Sequence, residues 1–158
     1  MPFSLSRTFD IRSGAPDPAG RLSNFADNPF ALDDVRCAGM EGFLQSLKFP
    51  DAAEQERICA LAGPAANAAG QRQEWRHSQT LYWRGRKLAR EGAAYQELLD
   101  RAFAALAAAS EPFRAALLAT GDAALTHDIG KTDPRDTVLT RAEMLSRLED
   151  LRRRLSER

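Results

Sequence analysis

A chain of 158 residues and 17.4 kDa, 44% hydrophobic and 28% charged, has the size of one compact domain. Folding such a chain buries roughly 70% of the surface it exposes unfolded, so no disulfide or metal staple is needed. Its 22 Lys and Arg balance its 22 Asp and Glu, and a net charge of 0 excludes a protein that holds nucleic acid by bulk charge. The longest apolar stretches, residues 102–109 and the alanine-rich 59–69, fall well short of the ~20 residues that span a bilayer. Residues 1–7 lack the apolar run of a signal peptide. The expectation is a cytoplasmic protein without membrane association, in which Cys37 and Cys59 stay reduced.

In chain order, 3–11 reads as a strand, followed by a mobile Pro/Gly/Asp connection over 13–20. Residues 30–37 read as strand with a possible turn at 32–34. Met40, Phe43, Leu44 and Leu47 fall at i, i+3, i+4 and i+7, which predicts a short helix over 40–48, stopped by Pro50. Asp51 and Glu54 form an N-cap and box partner for a helix over 51–62, broken by Gly63-Pro64. A further turn of helix over 65–69 ends at Gly70. Residues 71–94 interleave six basic residues, Arg72 to Arg90, with Trp75, His77, Tyr82 and Trp83. Tyr95, Leu98, Leu99, Ala102, Phe103 and Leu106 mark a long core helix, and Ser110 caps the next, with Pro112 in its first turn. Residues 121–139 are irregular apart from a strand-like 124–126. Thr140 and Glu143 make a capping box for a last helix with Met144, Leu145, Leu148, Leu151 and Leu155 in its stripe. The fold class is therefore α+β and predominantly helical, one domain over 1–158 with 1–19 peripheral.

Four places could carry chemistry. Glu41, Gln45 and Lys48 fall at i, i+4 and i+7, on the face of the first helix complementary to its apolar stripe. That face is either a solvated Glu–Lys arrangement or a carboxylate, an amide and an ammonium aimed at one ligand. In the loop Leu22-Ser23-Asn24-Phe25-Ala26, the Asn24 amide either turns the chain or binds a ligand on which Phe25 stacks. Trp75 and Trp83 among arginines suit a base and its phosphates, or else two core tryptophans beneath a solvated surface. His127 and Asp128 put an imidazole beside a carboxylate in the irregular segment. With His77 and His127 the only histidines and no Cys near either in sequence, no zinc site is expected.

The blocks Leu22-Ser23-Asn24-Phe25-Ala26 and Met40 to Phe49 resemble the two signature blocks of the NADAR, or YbiA-like, family. Gly70 followed by Trp75, the stretch 117–121 and the closing Leu–Arg helix resemble later blocks, so the likeness covers about residues 20–155. It implies a compact, largely helical α+β fold and N-glycosidase chemistry on nucleotide-like substrates, without a cofactor or metal. Some members hydrolyse phosphoribosylamino-pyrimidine intermediates of riboflavin synthesis; others remove ADP-ribose from guanine bases. The second activity is the leading expectation, on a small nucleotide or an ADP-ribosylated base, free or carried in DNA or RNA, with no obligate protein partner. A non-catalytic ADP-ribose reader and a plain helical interaction module are the alternatives from other classes.

By position, Glu41 matches the family's catalytic glutamate, Asn24 and Phe25 its pocket loop, and Lys48 its helix lysine. Cleaving an N-glycosidic bond passes through an oxocarbenium-like sugar, which needs a carboxylate and a proton for the leaving nitrogen. Glu41 takes the first part. Lys48 and arginines of 72–90 are expected to hold phosphates, Phe25 with Trp75 or Trp83 to stack on the base, and His127 or Asp128 to lie near the ribose or leaving base. Two departures stand out: 126–131 and 133–140 replace the family's W-G…G-K-N segment, and 76–94 reads as an insertion. Both fall where substrate choice is made.

Overall fold

The computed structural model describes residues 7–158, so the first four residues of the expected strand 3–11 lie outside it. What remains of that strand is β1 (Thr8–Asp10). The next pair, β2 (Phe30–Leu32) and β3 (Val35–Cys37), form an antiparallel hairpin in register Phe30↔Cys37. Asp33 and Asp34 turn it, with φ of 49° and 67°. Two successive left-handed residues match the twist of a two-residue hairpin, and Asp tolerates that conformation. Three helices follow: α1 (Met40–Ser46), α2 (Ala52–Cys59) and α3 (Gly63–Gln71). Asp51 caps α2 by accepting from the Glu54 N–H at 3.0 Å, but the Glu54 carboxylate turns to Arg57 instead of closing the box.

The expected helix 51–62 stops at Cys59, because Gly63-Pro64 opens a helix here and does not merely break one. Pro64 lies in the first turn of α3, where its missing N–H has no helical partner to lose. The single turn expected over 65–69 is consequently nine residues long.

Residues 71–94 hold the hairpin β4 (Thr80–Trp83) and β5 (Arg86–Ala89), turned by Arg84 and Gly85 at φ of 48° and 86°. After it come α4 (Ala93–Ala109), α5 (Glu111–Ala119), β6 (Ala124–Thr126) and α6 (Arg141–Ser156). The Ser110 cap of α5 and the Thr140–Glu143 capping box of α6 form as the sequence predicts. Strand β6 pairs parallel with β1, Phe9 opposite Leu125.

Residues 7–19 run largely over the surface and are anchored at Ile11 and Ala19. Ile11 is fully buried and its N–H donates to Thr126 O at 2.8 Å. The connection 13–20 is a series of turns ending in a 3₁₀ turn (Gly20–Leu22) whose Leu22 enters the core.

Helix α1 lies at the centre, with all seven of its residues buried. Phe43 meets the Trp83 ring at 5.1 Å and the Phe30 ring at 6.2 Å, both edge to face. Buried Gln55 joins α2 to its neighbours by donating to Ser46 O and Tyr82 O and accepting from the Arg84 N–H. Cys37 and Cys59 are free buried thiols. Among the described residues no single helix is long and apolar enough to cross a membrane.

The deepest charge is the Arg90 guanidinium, fully buried at the end of the second hairpin. It donates to both Glu143 oxygens, at 2.7 and 3.1 Å, and to Thr137 O at 2.8 Å, and it lies 4.9 Å from the centre of the Tyr95 ring. Burial alone would raise the Glu143 carboxyl. Hydrogen bonds from Arg90, the Thr140 N–H and Gln96 outweigh it and hold the carboxyl below its ordinary value of 4.5. Removing one partner of such a pair strands the other, at a cost of about 3–5 kcal/mol. Arg90→Met should lose about that much in urea unfolding at neutral pH. Since the folded value is depressed, Glu143 stabilises the wild type above pH 4.5 and this contribution disappears as pH falls through the lowered value. A pH titration of stability should show that acid-side loss in the wild type and not in Arg90→Met.

Candidate functional site

Glu41 lies in the first turn of α1, and its backbone N–H donates to Asn24 O at 3.1 Å. This one bond sets the loop 22–26 against the helix start. The Glu41 side chain is only 7% exposed. Its Oε2 accepts from Gln45 Nε2 at 2.7 Å, one turn along α1, and from Asn67 Nδ2 of α3 at 3.2 Å. Among the described residues nothing donates to Oε1. Two neutral amides thus fix the carboxylate through one oxygen and leave the other for a ligand.

Gln45 is held from behind. A Cβ at position 70 would meet Gln45 Oε1 at 1.8 Å, so only glycine lets α3 pass this close. That oxygen is buried without a hydrogen-bond partner. Lys48, two turns from Glu41, places Nζ 3.4 Å from Gly70 O. Burial lowers the Lys48 ammonium from its ordinary 10.5 to about 8; the Glu41 charge pulls it back up, and Arg76 and Lys131 push it down.

Glu41 borders a cavity of about 290 Å³. One side is Ser23, Asn24, Phe25, Leu44, Gln45 and Asn67; the other is Ser13 with His127, Ile129, Gly130, Lys131 and residues 137–139. Ser23 Oγ accepts from the Phe25 N–H at 3.2 Å, which turns the loop. His127 Nδ1 is 2.6 Å from Ile11 O; a carbonyl only accepts, so Nδ1 carries the proton. The His127 ring lies against Gly130, where a Cβ would meet its Cδ2 at 2.4 Å. Among the described residues no three His, Cys, Asp or Glu side chains assemble as metal ligands.

The profile of the family described as bacteriophage protein GP30.3 matches residues 17–153. A relative from enterobacteria phage T4, the uncharacterized 17.1 kDa protein of the Gp30–rIII intergenic region, is 38% identical over 145 residues, 90% of this chain and 95% of its own. The chain belongs to the GP30.3 family. The solution structure of the Escherichia coli protein YbiA superposes with a TM-score of 0.64 over 98% of this chain and 88% of that one. At 21% identity the match speaks for the fold, which is YbiA-like.

In this GP30.3 chain the expected residues divide. Ser23, Asn24, Phe25, Glu41, Gln45 and His127 line one cavity; Lys48 does not line it, its Nζ lying at Gly70 O, though it feels the Glu41 charge. Trp75 and Trp83 do not line it: they are 2% and 3% exposed in the core, and Trp83 Nε1 donates to Asp33 at 2.8 Å. Their expected stacking on a base is therefore corrected to core packing. The arginines beside them are also engaged, Arg84 with Asp33 O, Arg90 with Glu143, and Arg76 with Asp136 O. Asp128 does not line the cavity; its N–H donates to Asp10 Oδ1. Asn67 and Lys131 join the site unforeseen. Asn67 had no signal beyond a polar residue in an alanine-rich run, and Lys131 none beyond a cation in the irregular segment.

Gly70→Ala should displace Gln45 from Glu41, and a crystal structure of the folded variant should show the Gln45–Glu41 bond broken. Lys48→Met should be more stable than wild type at pH 7. In the wild type the unfolded chain binds the extra proton between pH 8 and 10.5, so stability rises with pH across that window. Chemical denaturation at several pH values should show that rise in the wild type and its absence in Lys48→Met.

Proposed function

We propose that the protein is an N-glycosidase acting on a nucleotide-like substrate, with ADP-ribose on a guanine base as the leading candidate. The observation that carries this reading is the Glu41 carboxylate on the cavity wall, held by two amides through Oε2 with Oε1 unengaged among the described residues. The YbiA-like fold supports the reading at the level of architecture.

In the proposed reaction the bond from the anomeric carbon to the base nitrogen breaks, and its electron pair leaves with the base. Glu41 Oε1 takes a proton from water as the water oxygen bonds to the anomeric carbon. The negative charge also stabilises the oxocarbenium-like sugar before that bond is complete. The departing nitrogen takes up a proton from solvent and Glu41 returns its own, so the step balances; His127, whose Nδ1 proton is held by Ile11 O, offers Nε2 as an acceptor beside the ribose or leaving base. Lys48 and Lys131 are the cations available to a phosphate. This role passes to Lys131 from the arginines of 72–90, none of which lines the cavity; Arg76, Arg84 and Arg90 are engaged elsewhere. A phosphoribosylamino-pyrimidine presents the same sugar, nitrogen and phosphate, and is the alternative substrate.

Glu41→Gln keeps the shape of the side chain and removes its basicity. Turnover of ADP-ribosylated guanosine should fall by ~10²–10⁴ with the fold retained. Mass spectrometry of the released base and sugar reads this directly, and a phosphoribosylamino-pyrimidine run in parallel separates the two substrate classes. Near-normal turnover by a folded Glu41→Gln variant would sink the mechanism.

A further inference from the structure

A second cavity, also of about 290 Å³, lies on the other side of the loop 24–27. Asn24, Phe25 and Glu41 line both chambers and form the wall between them. The two differ in charge. The first is lined by Lys131. Among the described residues the second has no Lys, Arg or His in its lining; its charged groups are the carboxylates of Asp27 and Glu41, and the rest is mainly small or apolar, including Ala38, Leu61 and Ala62. A phosphate is therefore attracted by the first chamber and repelled by the second. A flat, uncharged heterocycle suits the second: its N–H groups can donate to Asp27, and apolar walls cover its faces. The Asn24 side-chain amide makes no hydrogen bond among the described residues, so it can serve either half. Phe25 is fixed as a divider, because it packs so closely on Gly63 that a Cβ there would meet its ring at 2.8 Å.

We infer that the substrate lies across both chambers, with its phosphate-bearing sugar in the first, its leaving base in the second, and the scissile bond at Glu41. This orientation rests on the N-glycosidase reading, but it makes a claim about binding that can fail separately.

The test uses the full chain, labelled with ¹⁵N, and two fragments added singly. Ribose 5-phosphate should shift the amides of Gly130 and Lys131. Free guanine, adenine or cytosine should shift those of Gly39 and Gly63. Ala62→Leu narrows the second chamber and should weaken binding of the base about tenfold while leaving ribose 5-phosphate binding unchanged. Lys131→Ala should do the reverse, and the spectra report whether each variant is folded. A base that shifts Gly130 and Lys131, or that leaves Gly39 and Gly63 unmoved at millimolar concentration, overturns the orientation. So does Ala62→Leu weakening both fragments equally. If both shift patterns appear and the wild type hydrolyses nothing, the catalytic reading fails and the two-chamber binding stands.

Discussion

The buried Arg90–Glu143 pair is the constraint on which the far wall of the cavity depends. A guanidinium removed from water must satisfy its donors locally. Arg90 does so with two Glu143 oxygens and one backbone carbonyl, that of Thr137. Glu143 is at the same time the box residue of α6, accepting from the Thr140 N–H at 2.8 Å. Tyr95, whose ring lies under Arg90, donates to Val138 O at 2.5 Å. One ion pair therefore fixes the end of the second hairpin, the start of α6 and residues 137–139 between them. Those three residues line the cavity. A structural network remote from Glu41 thus decides the shape of the space that Glu41 faces.

The near wall is held by different physics. Helix α1 is buried along its whole length yet carries Glu41 and Gln45, which a purely structural helix would replace with apolar residues. The cost shows in two places: Gln45 Oε1 is left without a partner, and burial disfavours the Lys48 charge. Structures that accept such local conflicts commonly do so where a ligand binds, because the ligand supplies the missing partners. Packing supports this wall from behind: Phe43 against Phe30 and Trp83 anchors the opposite face of the helix, so Glu41 cannot swing into solvent.

What the sequence made legible was whatever is encoded locally. The 3.6-residue stripes of α4 and α6, the Ser110 cap and the Thr140–Glu143 box depend on neighbours in the chain, and they form as expected. The shared face of Glu41 and Gln45 was legible from their i, i+4 spacing, and the two side chains hydrogen-bond across it. The hairpin over 80–89 was obscured because its turn is Arg84-Gly85 and its exposed positions are Arg and Lys, so the alternation of Leu81, Trp83 and Leu88 was lost in a basic stretch. The same mixture made Trp75 and Trp83 look like a stacking platform, when Trp83 is buried through Asp33, 50 residues away. Ion pairs and caps closed by distant residues leave no local periodicity. For that reason neither Asn67 nor the integration of residues 7–19 through Ile11 and Thr126 could be read in advance.

The two walls also differ in how far they constrain their own side chains. On the α1 side the lining residues are themselves the structural contacts: Gln45 against Gly70, Phe25 against Gly63. On the loop side the protein grips backbone carbonyls. Arg76 donates to Asp136 O, Gln79 to Arg135 O, Arg90 to Thr137 O, Tyr95 to Val138 O, and Arg141 to the carbonyls of Asp128 and Gly130. A carbonyl is present whatever the side chain, so Ile129 and Lys131 can be exchanged without releasing the loop. Ile129 is 69% exposed and contributes little to the core. A YbiA-like scaffold can in this way keep one carboxylate wall constant and vary the surface opposite it.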